Sequence, residues 1–470
     1  MLFWSIKTLE RRPLPMIDSI TSFLGLKDSE VEYCKDVVKN NTTYFYVRLV
    51  NRGGRCKQCG TFTKDIKEYR NKKIVHSFLL NEASSIIYNA RRFMCPKCGK
   101  TFYETNPFST QYARLTDKTV ENVLKLLKNY NETFSSVAKK VHLSAMHVMN
   151  IFDEHVQLDR NKLSESIGID EFYFSRSAKK KYAAIILSLN KGYVIDLLST
   201  REKHRLNSFF RHISKEERSI VKYVSTDMNE VFRDVIASCL PSAKHCIDPF
   251  HVIKLINDAL NAVRLRVMHL YDDDKRSDEY YLLKHQKHLL FKYIPYDNKY
   301  YEAKRNNHFK YELTEKEKQD MLLAIHPDLE NAWTLKENYL LFNDSPGTPE
   351  EHREILEHLI DQFISSNIPE MINVGFTLSR WKEEILNSFY RIDKKVKDKN
   401  GNTQIKNVRV TSGPVEGRNK YIKILLRLAN GYVNFGRFRN RAMYVLNKNE
   451  LYSKTRLKNT VKITKKKKKS

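Results

Sequence analysis

A chain of 470 residues exceeds what one ordinary hydrophobic core organises and implies two to four domains. Hydrophobic residues make up 41% and aromatic residues 11%, which excludes wholesale disorder. The 83 Lys and Arg against 55 Asp and Glu leave a net charge of +28. That excess repels itself in a compact fold and points to a polyanionic partner, nucleic acid first and an anionic membrane surface second. No run approaches the ~20 apolar residues of a membrane helix, and Met1–Pro15 contains no stretch apolar enough for a signal peptide. Met16 opens "MIDSITSFLGL" like a second natural start, so the first fifteen residues read as a weakly ordered extension. A reducing cytoplasm is the expected location, with the seven cysteines acting as metal ligands or buried thiols rather than disulfides.

Four of those cysteines form two tight pairs, Cys56-Lys-Gln-Cys59 and Cys95-Pro-Lys-Cys98, each followed by glycine (Gly60, Gly99). Thiolates at this spacing bind one ion from a single turn, and two turns complete a zinc tetrahedron. The long stretch between the pairs requires a small domain, with strands expected over Thr43–Val50 and Ser85–Tyr88. Cys34, Cys239 and Cys246 read as core packing.

Beyond Pro107, Val120, Val123, Leu124 and Leu127 fall at helical spacing. The segment "TFSSVAKKVHLSAMHVMNIFDEHV" then reads as two short helices about a turn, with Ser144 as N-cap, in the cadence of a helix-turn-helix. Val148, Ile151 and Phe152 pack inward in this reading, leaving Ala145, His147 and Asn150 to face DNA. From Ser166 the pattern changes to strands: Ile167–Phe174, Tyr182–Leu189 and Tyr193–Leu198 form a meander. A helix (Glu202–Ile213), strand (Val221–Ser225), helix (Glu230–Leu240) and strand (His245–Ile247) follow, the order of a ribonuclease H-like fold. Residues 265–400 read as helix, polar "KVKDKNGNTQIKN" as a lead into the last helix, and Lys465–Lys469 as a disordered basic tail.

Three acids carry the chemistry. Asp170 stands inside an otherwise apolar strand, where Asp requires a compensating role. Asp227 ends the fourth strand, and Glu416 opens the last helix. Three converging carboxylates repel unless cations neutralise them, and magnesium (or manganese) suits hard oxygen ligands. Two such ions ~4 Å apart activate an attacking oxygen and stabilise a leaving one. Lys420, Lys423 and Arg427 continue the Glu416 face as a cationic stripe suited to phosphodiesters. Asp248 and His251 stand at a strand-to-helix junction; Asp248 orients His251 near the scissile phosphate, braces the metal site, or simply caps the following helix.

With those residues in place, the chain resembles the ISL-three family of bacterial insertion-sequence transposases from about Met16 to Val445. "RRFMCPKCGKTFYE", "IGIDEF", "STDM", "DPFHVIKL", "WTLKENY" and "PVEGRNKYIKILLRLANGYVNFGRFRNR" occur in family order. The resemblance implies a multidomain α+β protein: an N-terminal extension and lead-in (1–50), a zinc-binding domain (51–108), a helix-turn-helix (112–160), a ribonuclease H-like α/β catalytic domain in two parts (165–264 and 401–446) interrupted by an all-helical insertion (265–400), and a basic tail (447–470). The acidic triad carries over onto Asp170, Asp227 and Glu416, with Asp248 as the alternative second acid. The implied activity is magnesium-dependent cleavage and strand transfer at terminal inverted repeats in double-stranded DNA. A homodimer at the synapse, a bacterial nucleoid-associated location, and neither a membrane partner nor a small-molecule substrate are expected with it. A non-catalytic DNA-binding descendant of a transposase is the alternative, and a nuclease acting on RNA or RNA–DNA hybrids is a third reading that the shared fold permits.

Overall fold

The computed structural model describes residues 17–77, 83–109, 114–174, 181–292, 300–397 and 402–447. The Met1–Pro15 extension and the lysine tail lie outside the described residues. The chain divides into two compact units: residues 1–159 together with 424–470, and residues 160–423.

The first unit begins with helix α1 (Ile17–Leu24) and a hairpin of β1 (Val31–Lys39) and β2 (Thr42–Leu49). Asn40 and Asn41, both at positive φ (51° and 53°), make the turn between them, the backbone geometry a two-residue hairpin loop requires and Asn tolerates. Short strands β3 (Gly54–Arg55) and β4 (Phe62–Thr63) flank the first cysteine pair; β5 (Ile66–Val75), β6 (Ala83–Met94) and β7 (Thr101–Tyr103) follow. The main sheet runs β1-β2-β6-β5, with β7 also on β6. Phe45, Val47, Ile86 and Tyr88 are buried together beneath it. The expected lead-in over 1–50 is therefore, from Val31 onward, part of the same sheet as the cysteine-bearing segment.

Helices α2 (Asp117–Leu127), α3 (Phe134–Lys140) and α4 (Ala145–His155) come next. Thr116, Thr133 and Ser144 each cap the following helix by accepting a backbone N–H. Val148, Ile151 and Phe152 are buried as expected, and His142 turns the chain between α3 and α4 at φ 50°.

The second unit opens with the meander β8 (Ser166–Tyr173), β9 (Tyr182–Ser188) and β10 (Val194–Leu198). Helices α5 (Lys203–Arg211) and α6 (Lys215–Ser219), strand β11 (Tyr223–Thr226), helix α7 (Glu230–Cys239), strand β12 (Lys244–Ile247) and the long helix α8 (Pro249–His269) continue it. The sheet order is β10-β9-β8-β11-β12. The β8–β9 and β9–β10 pairs are antiparallel, whereas β8, β11 and β12 run parallel. Ile167 and Ile169 turn one face of β8 into a core shared with Leu206, Phe210, Phe232 and Val235.

Among the described residues seven helices follow: α9 (Asp278–His285), α10 (His288–Phe291), α11 (Glu315–Leu323), α12 (Pro327–Asp344), α13 (Arg353–Ile364), α14 (Pro369–Arg380) and α15 (Lys382–Asn387). They pack with α8 around Leu260, Val263, Tyr339, Phe363 and Trp381. The insertion is not all helix. A minimal pair, β13 (Lys304–Arg305) with β14 (Glu312–Leu313), interrupts it. In the polar stretch expected to lead into the last helix, the described residues form a hairpin of β15 (Arg391–Lys397) and β16 (Thr403–Arg409).

Helix α16 (Gly413–Leu428) closes the second unit. The expected second catalytic segment, 401–446, divides at Ile424, where the chain returns to the first unit. There α17 (Phe435–Leu446) buries Tyr444 among Val123, Leu127 and Phe152. Arg437 pairs with Asp153 at 2.6 Å, and the fully buried Arg441 donates to the Asn129 and Glu132 carbonyls. The three-helix motif is thus completed by a fourth helix from the far end of the sequence, because its own helices are too short to enclose a core.

Candidate functional site

The cysteine pairs meet. Cys56 Sγ lies 3.6 Å from Cys98 Sγ, and Cys59 Sγ lies 3.5 Å from Cys95 Sγ. The four ligand atoms all fall within 4.8 Å of one another. A tetrahedral ion with metal–sulfur bonds of ~2.3 Å separates its sulfurs by about 3.8 Å, so the quartet matches zinc closely. Each loop is held by its own backbone: Gly60 N donates to Cys56 O and Gly99 N to Cys95 O, with both glycines at positive φ (72° and 68°). The Thr61 hydroxyl, 3.3 Å from Cys59 Sγ, holds that thiol down to about 6, while Cys98, despite the pull of the Lys100 backbone, is pushed up to about 12 by burial and its cysteine neighbours. Cys239 and Cys246 are buried as core residues, and Cys34 is half-buried.

The acids of the second unit are organised by strand register. Gly168 on β8 is opposite Ser225 on β11, and Thr226 is opposite Ile247 on β12. Counting on from those pairs, Asp170 within β8 stands level with Asp227 and Asp248, each of which directly follows the C-terminal end of its parallel strand, β11 or β12, the edge at which open α/β sheets bind ligands. Asp170 is raised to about 6, by burial first and then by the Asp227 carboxylate, while His251 and a hydrogen bond from Asn419 pull it down. Burial also raises Asp227, against the opposing pull of His251 and Arg201. One Asp227 carboxylate oxygen is buried with no hydrogen-bond partner among the described residues. A buried, unsatisfied carboxylate oxygen is costly, and a hard divalent cation is the ligand that would satisfy it.

Gly168 explains how α16 reaches these acids. A Cβ there would stand 2.4 Å from the Val415 side chain, so only glycine lets the helix lie this close to the strand. One turn further along, Asn419 Nδ2 donates to Asp170 Oδ2 at 2.7 Å. Glu416 lies between Val415 and Asn419 on that helix, half-buried. Among the described residues, the cysteine quartet is the one group of three or more Cys, His, Asp or Glu whose ligand atoms all lie within 4.8 Å; Asp170, Asp227 and Glu416 do not form so closed a group.

Asp248 has a defined structural use. One carboxylate oxygen caps α8 by accepting Phe250 N at 3.0 Å, and the other accepts Ser412 N at 2.8 Å. Ser412 Oγ also meets Ser225 Oγ at 2.8 Å. Asp248 therefore ties the start of α8 to the start of α16. His251, in the first turn of α8, is close enough to act electrostatically on Asp170 and Asp227.

Three further residues escaped sequence reading: Asn419 on Asp170, Ser412 under Asp248, and Arg201, which pairs with Glu171 beside Asp170. Asn419 alone carried a signal, one helical turn after Glu416. Lys420, Lys423 and Arg427 are exposed on α16. His147 and Asn150 are exposed on α4, whereas Ala145 is half-buried against the core of its unit. Met146, 60% exposed, is the outward residue that the sequence reading passed over.

These features meet a match among transposases: a family model described as Transposase, of the ISL3 DDE type, matches residues 167–442. That span is more than half of the chain, and the chain belongs to the ISL3 family of DDE transposases. It is also similar to the transposase for insertion sequence element IS1557 of Mycobacterium tuberculosis, in strains CDC 1551 / Oshkosh and ATCC 25618 / H37Rv. Each is 29% identical over 114 residues, covering 24% of this chain and 25% of the relative. The chain thus spans about a quarter of the length of these curated relatives. Among the described residues, no helix is long and apolar enough to cross a membrane.

Proposed function

We propose that this chain is the DNA transposase of an insertion sequence, which binds terminal inverted repeats and carries out metal-dependent strand cleavage and strand transfer. The observation that carries the reading is the in-phase placement of Asp170 and Asp227 on adjacent parallel strands, with an unsatisfied buried oxygen and the Glu416 helix laid against them. The sheet order, a meander followed by two parallel strands, supports a ribonuclease H-like catalytic domain. Asp170, Asp227 and Glu416 would hold magnesium or manganese, which supplies Lewis-acid activation of the attacking oxygen and charge neutralisation at the phosphate. Asn419 holds Asp170 in one rotamer. Asp248 fixes the start of the Glu416 helix and orients the turn that carries His251. Lys420, Lys423 and Arg427 present cations to the phosphate backbone. His147 and Asn150, with Ala145 at the margin, are assigned to reading DNA. Cys56, Cys59, Cys95 and Cys98 would hold a structural zinc ion. Two element ends must be joined, so the active form is a homodimer on DNA, acting in a bacterial cytoplasm at the nucleoid.

The test is cleavage of matched substrates by the full chain: a duplex carrying the terminal repeats, an RNA–DNA hybrid, and RNA of the same sequence. Magnesium-dependent nicking at the repeat end of the duplex is the expected result. Binding without cleavage would favour the retired, non-catalytic alternative, and preferential cleavage of the hybrid would favour a nuclease.

A further inference from the structure

We propose that the β15–β16 hairpin is a DNA-gripping ribbon that inserts into the major groove of a duplex and positions it for the acid site; this rests on the transposase reading above. Its two strands, Arg391–Lys397 and Thr403–Arg409, carry six Lys and Arg against one Asp. Within the ladder, Lys394 lies directly opposite Lys406. Like charges facing across an antiparallel pair are destabilising, and among the described residues neither lysine has an ion pair. A phosphate group between them would turn that repulsion into attraction. Among the described residues the ribbon's strands pair only with each other, and an isolated two-stranded hairpin is marginal in water without a partner surface. Its described β16 side chains from Thr403 to Asn407 are all exposed, Ile405 at 67%. Ile405 stands alone among polar neighbours, which disfavours an apolar protein partner.

The root, by contrast, is firmly held. Arg409 donates to Ser388 O at 2.9 Å and Asn343 O at 2.7 Å, and its guanidinium lies 3.7 Å from the Phe389 ring centre. Ile392 is buried beside it. Three residues after Arg409, Ser412 is fastened to Asp248, and α16 begins. A duplex held by the ribbon would therefore be held at a fixed offset from the helix that carries Glu416. The B-form major groove is ~12 Å wide and admits a two-stranded ribbon; the deep, narrow major groove of A-form RNA does not.

The test is fluorescence anisotropy of the full chain on a 30-base-pair-scale DNA duplex and the equivalent RNA duplex across a salt series. The K394Q/K406Q variant is compared with wild type and with K254Q/K316Q, an equal charge change at exposed, ion-paired lysines elsewhere in the unit. The hairpin variant should bind DNA on the order of ten-fold or more weakly at 0.15 M salt, with a salt slope smaller by about 1.8, at ~0.9 per lost phosphate contact. The control should match wild type, and RNA-duplex binding should be little changed. A photo-crosslinking residue at Ile405 should give adducts with DNA, which tests the contact without touching the lysines. Unchanged DNA affinity and slope in the hairpin variant, an equal loss in the control or on RNA, or no DNA adduct at Ile405 would each overturn the ribbon. If wild type cleaves repeat DNA while any of these holds, the ribbon alone fails; if wild type binds no DNA, the transposase reading fails with it.

Discussion

The cysteine quartet of the first unit and the acids of the second are the two sets of residues proposed to hold metal, and they are built in opposite ways. The quartet is closed: four equivalent sulfurs converge within 4.8 Å, held by two short loops whose backbone hydrogen bonds form within six residues. The acids are open and unequal. They come from two strands and a helix, with Asp170 engaged by Asn419 and one Asp227 oxygen left without a partner among the described residues. A closed shell leaves a metal no free position, which suits a structural ion; donors spread around a gap leave room for substrate. The difference lies in the folding link as much as in the chemistry, since one site is assembled by local turns and the other by topology.

The largest effect that would break this comparison is in the closed site. Cys95→Ser is expected to reduce bound zinc from about one ion per chain to near none, and to unfold the surrounding sheet. Structural zinc contributes on the order of 10 kcal/mol of folding free energy in small domains. Metal analysis and protease sensitivity of the N-terminal segment check it, and an equal zinc content in variant and wild type would count against the quartet. A smaller effect sharpens the open site. Asp248→Ala removes an N-cap and the acceptor for buried Ser412 N, each worth about 1–2 kcal/mol. Thermal unfolding of the second unit should shift down, and cleavage should fall, while zinc content stays unchanged. A variant with full stability would mean that the bridge between α8 and α16 carries no load.

The smallest effect is a pH dependence in the first unit. His76 is buried and meets Thr116 Oγ1 at 3.0 Å; burial, aided by Lys118, pushes its imidazole down to about 4. Between the unfolded value of ~6.5 and about 4, the unfolded chain takes up a proton that the folded chain refuses. Stability is therefore fully present above ~6.5 and declines as pH falls through that window. His76→Gln should flatten the decline in denaturant titrations at pH 7 and pH 5. An equal pH dependence in the variant would assign it to other groups.

What the sequence made legible follows the same divide. Cys56 to Cys98 could be read from spacing alone, because two-residue separation within a turn is a local property. Asp170 was legible as an anomaly, a charge within an apolar strand, and the β8–β12 elements by their periodicity. Asn419 as the partner of Asp170 was marked only by its place one helical turn after Glu416, while Tyr444 and Arg441 as the closure of the α2–α4 core depend on contacts between distant segments and leave no local pattern. The β15–β16 hairpin was hidden for a different reason: both its faces are largely solvated, so it lacks the alternation that betrays a half-buried strand.

The most direct measurement is single-turnover cleavage of a duplex carrying the terminal repeats, in magnesium at matched salt, by wild type and by Glu416→Gln. The substitution keeps the size of the side chain and removes the charge that a divalent ion requires. Glu416→Gln is expected to bind the duplex as wild type does and to cleave it at least about 10³-fold more slowly, a loss of roughly 4 kcal/mol of transition-state stabilisation. Cleavage at the wild-type rate by Glu416→Gln would contradict the assignment of Asp170, Asp227 and Glu416 as the catalytic acids.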